Sequence, residues 1–444
     1  MSESTATQHL QEVDEPLVKL PRGKRVFFIA ILYIMFLFDF IIRYGVNGIL
    51  PMIQEDLQIS ATQVGLLSSA IFLGMAIFVM PISFIGENKS QRRAISFCGI
   101  LWSGATVVCG MAGSAVNLII NRLLVGAGNS AYAPLSTAML TSWYKKSSWG
   151  KALGLYNTAM AVGGALGYLL FAAVAENFGW RSSFYIIGGL SLIVSLLSLF
   201  LPDNKKLMAE QGAEEGHGAE SEEIAQIKLN AKDTAKLVLN NHALLTMCLA
   251  AGFAVFAMNI GSTFLSIFYV NVKGMSLTAA AAAVAAATPV SLIAFPLGGA
   301  ILDKWYQKDR RARMWMPMIT ILIAGVVLAG GYGVASIPLI IIGNAIYSIG
   351  TTSFHTASHE LVPAWYKSVS YGTYVLFIQL MGAMGPTVGG MIVDAVGVHH
   401  ALIYVQAFLI ISVLLLLYAG KIYLKYYNAA RQAEEEKGLG VVAE

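Results

Sequence analysis

Charge is what this 444-residue chain has least of: Asp, Glu, Lys and Arg make up 12% of it, against 57% hydrophobic residues. A soluble domain carries about 25% charged residues, so there is too little charge here to coat a water-facing surface, and most of that surface is expected to face lipid. Cysteine is scarce as well. Cys98, Cys109 and Cys248 fall within apolar stretches without paired metal-ligand spacing, which reads as small core residues and argues against a disulfide scaffold or a metal centre. The chain also lacks a phosphate-cradling glycine loop and a convincing nucleophile–base arrangement, so neither an enzyme nor a cofactor is expected. The net charge of +4 does not make a nucleic-acid surface, because the basic residues lie in short runs between apolar segments and read as topology signals. The polar start, with Glu12, Asp14 and Glu15, is unlike a cleavable signal peptide, and the first apolar segment is expected to stay in the mature protein.

What the chain does have is repetition. Ser142-Trp143-Tyr144-Lys145, followed by Gly150, Gly163 and Gly167, recurs as Ala364-Trp365-Tyr366-Lys367 followed by Gly372, Gly385 and Gly389, at a constant offset of 222 residues, half of the chain. Tandem blocks of membrane segments point to a two-lobed carrier. Twelve apolar stretches are long enough to cross a bilayer: 27–50, 62–82, 94–113, 117–140, 151–174, 180–202, 243–267, 278–302, 313–334, 337–360, 372–394 and 398–420. The predicted fold is therefore an all-α polytopic membrane protein with twelve transmembrane helices in two six-helix lobes. The lobes span 27–202 and 243–420, with an N-terminal tail 1–26, a linker 203–242 and a C-terminal tail 421–444. Lys19, Arg22, Lys24 and Arg25, then Lys89, Arg92 and Arg93, Lys145, Lys146 and Lys151, and Lys304 to Lys367 share one side, against Lys273 and Arg181 on the other. That asymmetry predicts a cell (inner) membrane protein with both termini and the linker cytoplasmic. The linker carries an acidic run from Glu210 to Glu223 and an amphipathic stretch with Lys228, Lys232 and Lys236, read as a flexible solvated surface with an interfacial helix as the alternative.

Gly299-Ala300-Ile301-Leu302-Asp303-Lys304 fits the G-x-x-x-D-[R/K] loop of the major facilitator superfamily, and the chain resembles that family. The first copy, Ser83 to Arg93, is degenerate, with Glu87 at the acidic position and Asn88 in place of the usual base. A carboxylate at a helix end can accept hydrogen bonds from a neighbouring helix start in one gate state and lose them in the other, so Glu87 and Asp303, with Arg92 and Arg93, are the gating candidates. Asn121-Arg122-Leu123-Leu124-Val125-Gly126-Ala127-Gly128 resembles the superfamily's fourth-helix arginine motif. Arg43 to Pro51, the Arg122 segment and Trp143 to Gly167 are most similar to organic anion:cation symporters. Asp309 to Pro317 and His359 to Pro363 are similar to spinster-like lipid transporters. In the symporters an aspartate precedes the first-helix arginine and the fourth-helix motif carries a glutamate involved in proton coupling; here Ile42 and Asn129 stand at those positions.

An arginine inside hydrocarbon costs several kcal/mol unless it faces a cavity or an acid. Arg43 and Arg122 lie within the first and fourth segments, so an anionic substrate is the economical reading, gripped by planar guanidinium groups. The alternatives are an internal Asp39–Arg43 pair at four-residue spacing and a snorkelling Arg122 at the outer end of its helix. Asp39, Arg43 and Asn47 form a polar stripe, and Asn129 lies two turns beyond Arg122. Tyr156 and Asn157, Asn259 and Thr263, Tyr347, Tyr374 and Gln379 offer further substrate hydrogen bonds or interhelical contacts. With Ile42 and Asn129 unable to carry a proton, Asp39 and His355 are the coupling candidates, and His355 with His359 four residues on reads equally as a core or gate pair and not as a metal site.

The sequence thus predicts a secondary active transporter of a small organic anion, working by alternating access as a monomer in the bilayer, with proton-coupled symport, facilitated transport and exchange all left open by the residues. The alternatives are a spinster-like carrier of a lysolipid or other anionic amphiphile, and a membrane sensor that keeps the scaffold without transport.

Overall fold

Backbone polar groups in lipid must be satisfied within their own segment, so apolar runs of this length become helices. The computed structural model describes residue 16 and residues 18–436, apart from 89, 146–147, 205 and 208–237. Among the described residues it is helical, without strands. The first half holds α1 (Arg22–Leu57), α2 (Ala61–Asn88), α3 (Gln91–Cys109), α4 (Ala115–Asn129), α5 (Tyr132–Ser142), α6 (Trp149–Phe178) and α7 (Trp180–Leu197). The second holds α8 (His242–Asn271), α9 (Leu277–Ala285), α10 (Ala287–Tyr306), α11 (Ala312–Gly333), α12 (Ile337–Glu360), α13 (Lys367–Tyr404) and α14 (Ala407–Glu436).

Among the described residues, ten helical stretches are long and apolar enough to cross a membrane. The other two of the twelve are α3, which opens on Arg92 and Arg93, and the α4–α5 pair, whose halves are individually short. Two expected segments are interrupted at a proline, and the eleventh and twelfth join at a glycine turn. The fourth breaks at Ser130 and Ala131, because Pro134 has no N–H to donate to the Ser130 carbonyl and the Ser130 hydroxyl donates to the Ala127 carbonyl instead (2.7 Å). The eighth breaks at Ala286, where Pro289 likewise leaves the Ala285 carbonyl without its helical donor. The twelfth begins at Gly397, whose φ of 78° turns the chain between two helical stretches. Pro51, Pro81, Pro296 and Pro386 are accommodated inside helices.

The chain divides into two compact units: the described residues of 1–58 and 70–222, and those of 59–69 and 223–444. In the first, α1 packs along α6 at close range: a methyl added at Gly163 would sit 2.6 Å from the Leu37 carbonyl, and one at Gly167 2.6 Å from the Ile41 carbonyl. A methyl added at Gly154, earlier on the same helix, would meet nothing within 4 Å. Asp56 at the end of α1 accepts from the Arg181 guanidinium (2.7 Å) and the Trp180 indole (3.0 Å), pinning the start of α7. The buried Trp143 indole donates to Asn204 (2.9 Å), whose amide donates to Ser142 (2.7 Å), so the chain beyond α7 braces the turn that opens the repeated motif.

In the second unit α8 packs against α13 and α14, with the Ser412 hydroxyl on the Ala250 carbonyl (2.7 Å) and Phe256 against Phe408 at 4.9 Å. The region 421–436, expected as a tail, continues α14 as helix. It stays helical because Tyr423, Tyr427, Ala430 and Glu434 form a buried stripe, and Glu434 accepts from the Ala364 amide (2.7 Å).

Candidate functional site

In the first unit α1 carries Asp39, Arg43 and Asn47 along one face. Asp39 is fully buried, and a single nitrogen of Arg43, Nη2, donates to both its carboxylate oxygens at 2.8 Å. The internal pair is therefore formed, but end-on and not as a two-nitrogen fork. The Arg43 guanidinium lies over the Phe40 ring at 4.5 Å, and its Nε is buried with no hydrogen-bond partner. Donor capacity remains for another acceptor.

Arg122 reaches into the same stretch of α1. It is 1% exposed, so it does not snorkel, and it donates to the backbone carbonyls of Ile42 (3.2 Å) and Arg43 (3.3 Å), its Nε unpartnered. No carboxylate pairs with it among the described residues. The buried Arg122 and the largely buried Arg43 thus stand against one buried carboxylate, which pairs with Arg43 alone, leaving one unit of positive charge among the three. Uncompensated charge at such depth calls for a counter-charge.

The other first-unit candidates divide. Asn47 is buried and hydrogen bonded to Tyr168. Asn129, at the last position of α4, is 1% exposed with both amide atoms unpartnered, polar capacity that a water or ligand would satisfy. Tyr156 is enclosed, stacked on Phe36 at 4.6 Å with its hydroxyl on Ser136 (2.7 Å), whereas Asn157 is exposed.

In the second unit Asn259 donates to the Gly382 carbonyl (3.1 Å), joining α8 to α13, and Thr263 is buried. Tyr374 is buried with its ring 5.3 Å from that of His355. His355 itself is exposed and 5.7 Å from Tyr371, on which His359 stacks at 5.4 Å. Tyr347 and Gln379 are half-buried. Asn259, Tyr347, Tyr374, Gln379 and His355 thus bring hydrogen-bonding and aromatic groups but no fixed charge. No group of three or more metal-ligating side chains occurs among the described residues.

Of the gating candidates, Asp303 is exposed on the last turn of α10 without an ion-pair partner among the described residues. Arg92 and Arg93 stand in the first turn of α3, and α2 runs through Glu87, whose side chain lies outside the described residues. The sequence reading missed a neighbouring cluster. Arg313 donates to Glu360 through Nη2 (3.0 Å) and Nε (3.2 Å), lies over the Tyr306 ring at 4.2 Å, and shares Glu360 with the Tyr423 hydroxyl (2.6 Å). Arg310 pairs with the Tyr427 hydroxyl. The available signal was an arginine opening one apolar segment and a glutamate closing the next on the same side.

A family model of the Major Facilitator Superfamily matches residues 32–386. The chain belongs to this superfamily. Within it, the chain is 24% identical over 382 residues to a hexuronate transporter of Bacillus subtilis, covering 83% of this chain and 88% of that one. It is 23% identical to a probable sulfoacetate transporter of Cupriavidus necator, covering 64% and 66%. Its fold is similar to the crystal structure of a bacterial homologue of the human lysosomal transporter spinster, with a TM-score of 0.79, 21% identity, and coverage of 92% and 99%. The chain is a multi-pass membrane protein built on the twelve-helix transporter fold.

Proposed function

We propose that this protein carries a small organic monoanion across the cell membrane by alternating access, with Arg43 and Arg122 as the anion-holding pair and no covalent step. The observation that carries this reading is the buried surplus of positive charge: two arginines and one carboxylate, with both Nε atoms unpartnered. An incoming carboxylate or sulfonate supplies the missing charge and accepts the free donors. The named substrate of the hexuronate relative is a monoanion of this kind, and that of the sulfoacetate relative, a dianion, presents the same carboxylate and sulfonate acceptors. Asn47, Asn129 and Asn157 in the first half, and Asn259, Tyr347, Tyr374 and Gln379 in the second, supply uncharged hydrogen bonds for the rest of the solute, while Tyr156 shapes the wall from behind.

Coupling follows from competition. When the site is empty, Asp39 and Arg43 hold each other; an anion that takes Arg43 leaves Asp39 buried and unpaired, a state relieved by taking a proton. Asp39 then carries the proton in symport, with His355 as the relay in the second half. In this reading the protein works as a monomer with both termini cytoplasmic, consistent with the basic loops. Glu87, Asp303, Arg92 and Arg93 sit at that face as the gate.

Uptake into proteoliposomes, screened across hexuronates, sulfoacetate, a neutral hexose and a lysophospholipid, with and without an imposed proton gradient, tests the reading. Saturable hexuronate or sulfoacetate uptake, stimulated by an inward proton gradient and absent for the hexose, is the expected result. Movement of the lysophospholipid alone would select the amphiphile carrier, and movement of none would leave a non-transporting protein.

A further inference from the structure

Within the second unit, the join between α13 and α14 leaves one polar atom over. α13 ends at Tyr404 and α14 begins at Ala407, and across the turn between them the Gln406 N–H reaches the Ile403 carbonyl (3.2 Å) instead of the Leu402 carbonyl one residue further back. The Gln406 side chain makes good that loss, its Nε2 donating to the Leu402 carbonyl (3.0 Å). A carbonyl accepts only from the amide nitrogen, so this bond fixes which way round the amide lies. Its Oε1 is left buried with no hydrogen-bond partner, on a residue only 7% exposed.

Gln406 lines a groove of about 300 Å³ where α11 packs against the α13–α14 join. Ile321 and Leu409 are buried in its floor, and Gly325 deepens it, since a methyl added there would come 3.3 Å from a Leu409 methyl. Leu322, Val326 and Ile410 stand at the rim, apolar and exposed on helices long enough to span the membrane, so the groove opens to hydrocarbon. From Leu322 to Ala329 it follows α11 for about 10 Å. A lipid tail would fill such a groove but would leave the oxygen unmet. It has no donor, water is scarce at that depth, and a polar atom without a partner is costly in lipid. The occupant that answers both features is slender, apolar and furnished with one donor.

We propose that this groove binds a membrane-dissolved alcohol, its apolar body lying along α11 and its single hydroxyl donating to Gln406 Oε1. The volume stands at the small end of ligand sites, which run from about 300 to 1,000 Å³, and leaves no room for a two-chain phospholipid. The terminal amide torsion is broad, so the oxygen can turn towards the groove while the nitrogen stays on Leu402. An amine or a carboxylic acid is a poorer fit, because its ionised head is drawn out to the membrane surface. The groove shares no residue with the Arg43–Arg122 site and stands whether or not those arginines hold an anion.

The test uses the full-length protein in nanodiscs, with a diazirine-bearing octanol as probe and the diazirine-bearing octane, which lacks the hydroxyl, as its control. After illumination the labelled peptides are mapped by mass spectrometry. The alcohol is expected to label residues 321–329 and 403–413 saturably and about five- to thirtyfold more than the control, the range set by one hydrogen bond made in lipid. Gln406→Leu keeps the bulk but removes the acceptor, and should bring the alcohol down to the control's level. That change also takes the donor from the Leu402 carbonyl, so Ala329→Phe is the second variant: it leaves Gln406 in place, fills the groove and should abolish labelling by both probes there. Equal labelling by alcohol and control in the parent would show a groove filled by hydrocarbon alone and overturn the proposal, as would alcohol labelling that survives either variant in protein with a normal melt. Labelling present in discs holding one chain and lost in discs holding two would hand the groove to a second copy and overturn it likewise.

Discussion

Replacing Arg122 by glutamine is the sharpest test of the anion site. The side chain is 1% exposed and makes two long hydrogen bonds, 3.2 and 3.3 Å, to carbonyls of α1, and its charge has no ionic partner among the described residues. Truncating one partner of a buried charge contact costs about 2–5 kcal/mol of binding, and because Arg43 remains to hold the anion the low end applies, about 2 kcal/mol or roughly 30-fold in affinity. A neutral analogue has no charge to lose and should change by no more than about twofold, the size of a surface perturbation. Arg122→Lys keeps the charge but cannot reach two carbonyls with a planar group, so it should fall between, near tenfold. Competition binding of a hexuronate and the matching hexose to purified protein, with thermal melting as the folding control, separates these outcomes. Equal losses for the acid and the neutral sugar would refute the reasoning and return Arg122 to a scaffold role at the α1–α4 junction.

Asp39→Asn should preserve counterflow exchange while abolishing proton-driven accumulation; unchanged accumulation would remove Asp39 from coupling, and loss of both would mark the Arg43 pair as a structural need. Asp303→Asn should slow turnover and shift cysteine accessibility between the two faces without altering affinity in a trapped state, and an unshifted distribution with normal turnover would end the gating assignment. Glu360→Gln leaves the Arg313 charge without its acid and should destabilise by about 2–3 kcal/mol, read as a lowered melting temperature; an unchanged melt would mean the cluster contributes nothing net. Gly167→Ala forces a methyl to 2.6 Å from the Ile41 carbonyl and should cost about 1–3 kcal/mol, whereas Gly154→Ala, with open space around it, should melt like the parent.

The fold was legible in the sequence because a bilayer leaves few options: long apolar runs, a basic side and a repeated Trp-Tyr-Lys turn together imply two sets of helices. The breaks were less visible, although Pro134 and Pro289 marked two of them and Gly397 the third. Side-chain chemistry was legible where partners are local, as with Asp39 and Arg43 one turn apart. It was not legible for Arg122, whose partners are main-chain carbonyls about 80 residues away that carry no signature in residue type. Asp394 in α13, which accepts from the Ala61 and Thr62 amides, was missed for a related reason: those donors lie 333 and 332 residues away, and backbone amides are the same at every position. The continuation of α14 to Glu436 was hidden by its lysines, because a helix with a wet side and a tyrosine stripe resembles a polar tail until the surface it covers is known.

The surplus charge around Asp39 has an electrical reading. If the acid takes a proton when a monoanion displaces it from Arg43, the loaded and empty proteins carry the same buried charge, and membrane voltage cannot tell one half of the cycle from the other. If Asp39 stays ionised, the loaded site is neutral and the empty one returns with an extra positive charge, on which 100 mV acts with up to about 2.3 kcal/mol. Current recorded from a supported membrane during substrate jumps therefore counts protons on a carboxylate that no titration from bulk solution can easily reach.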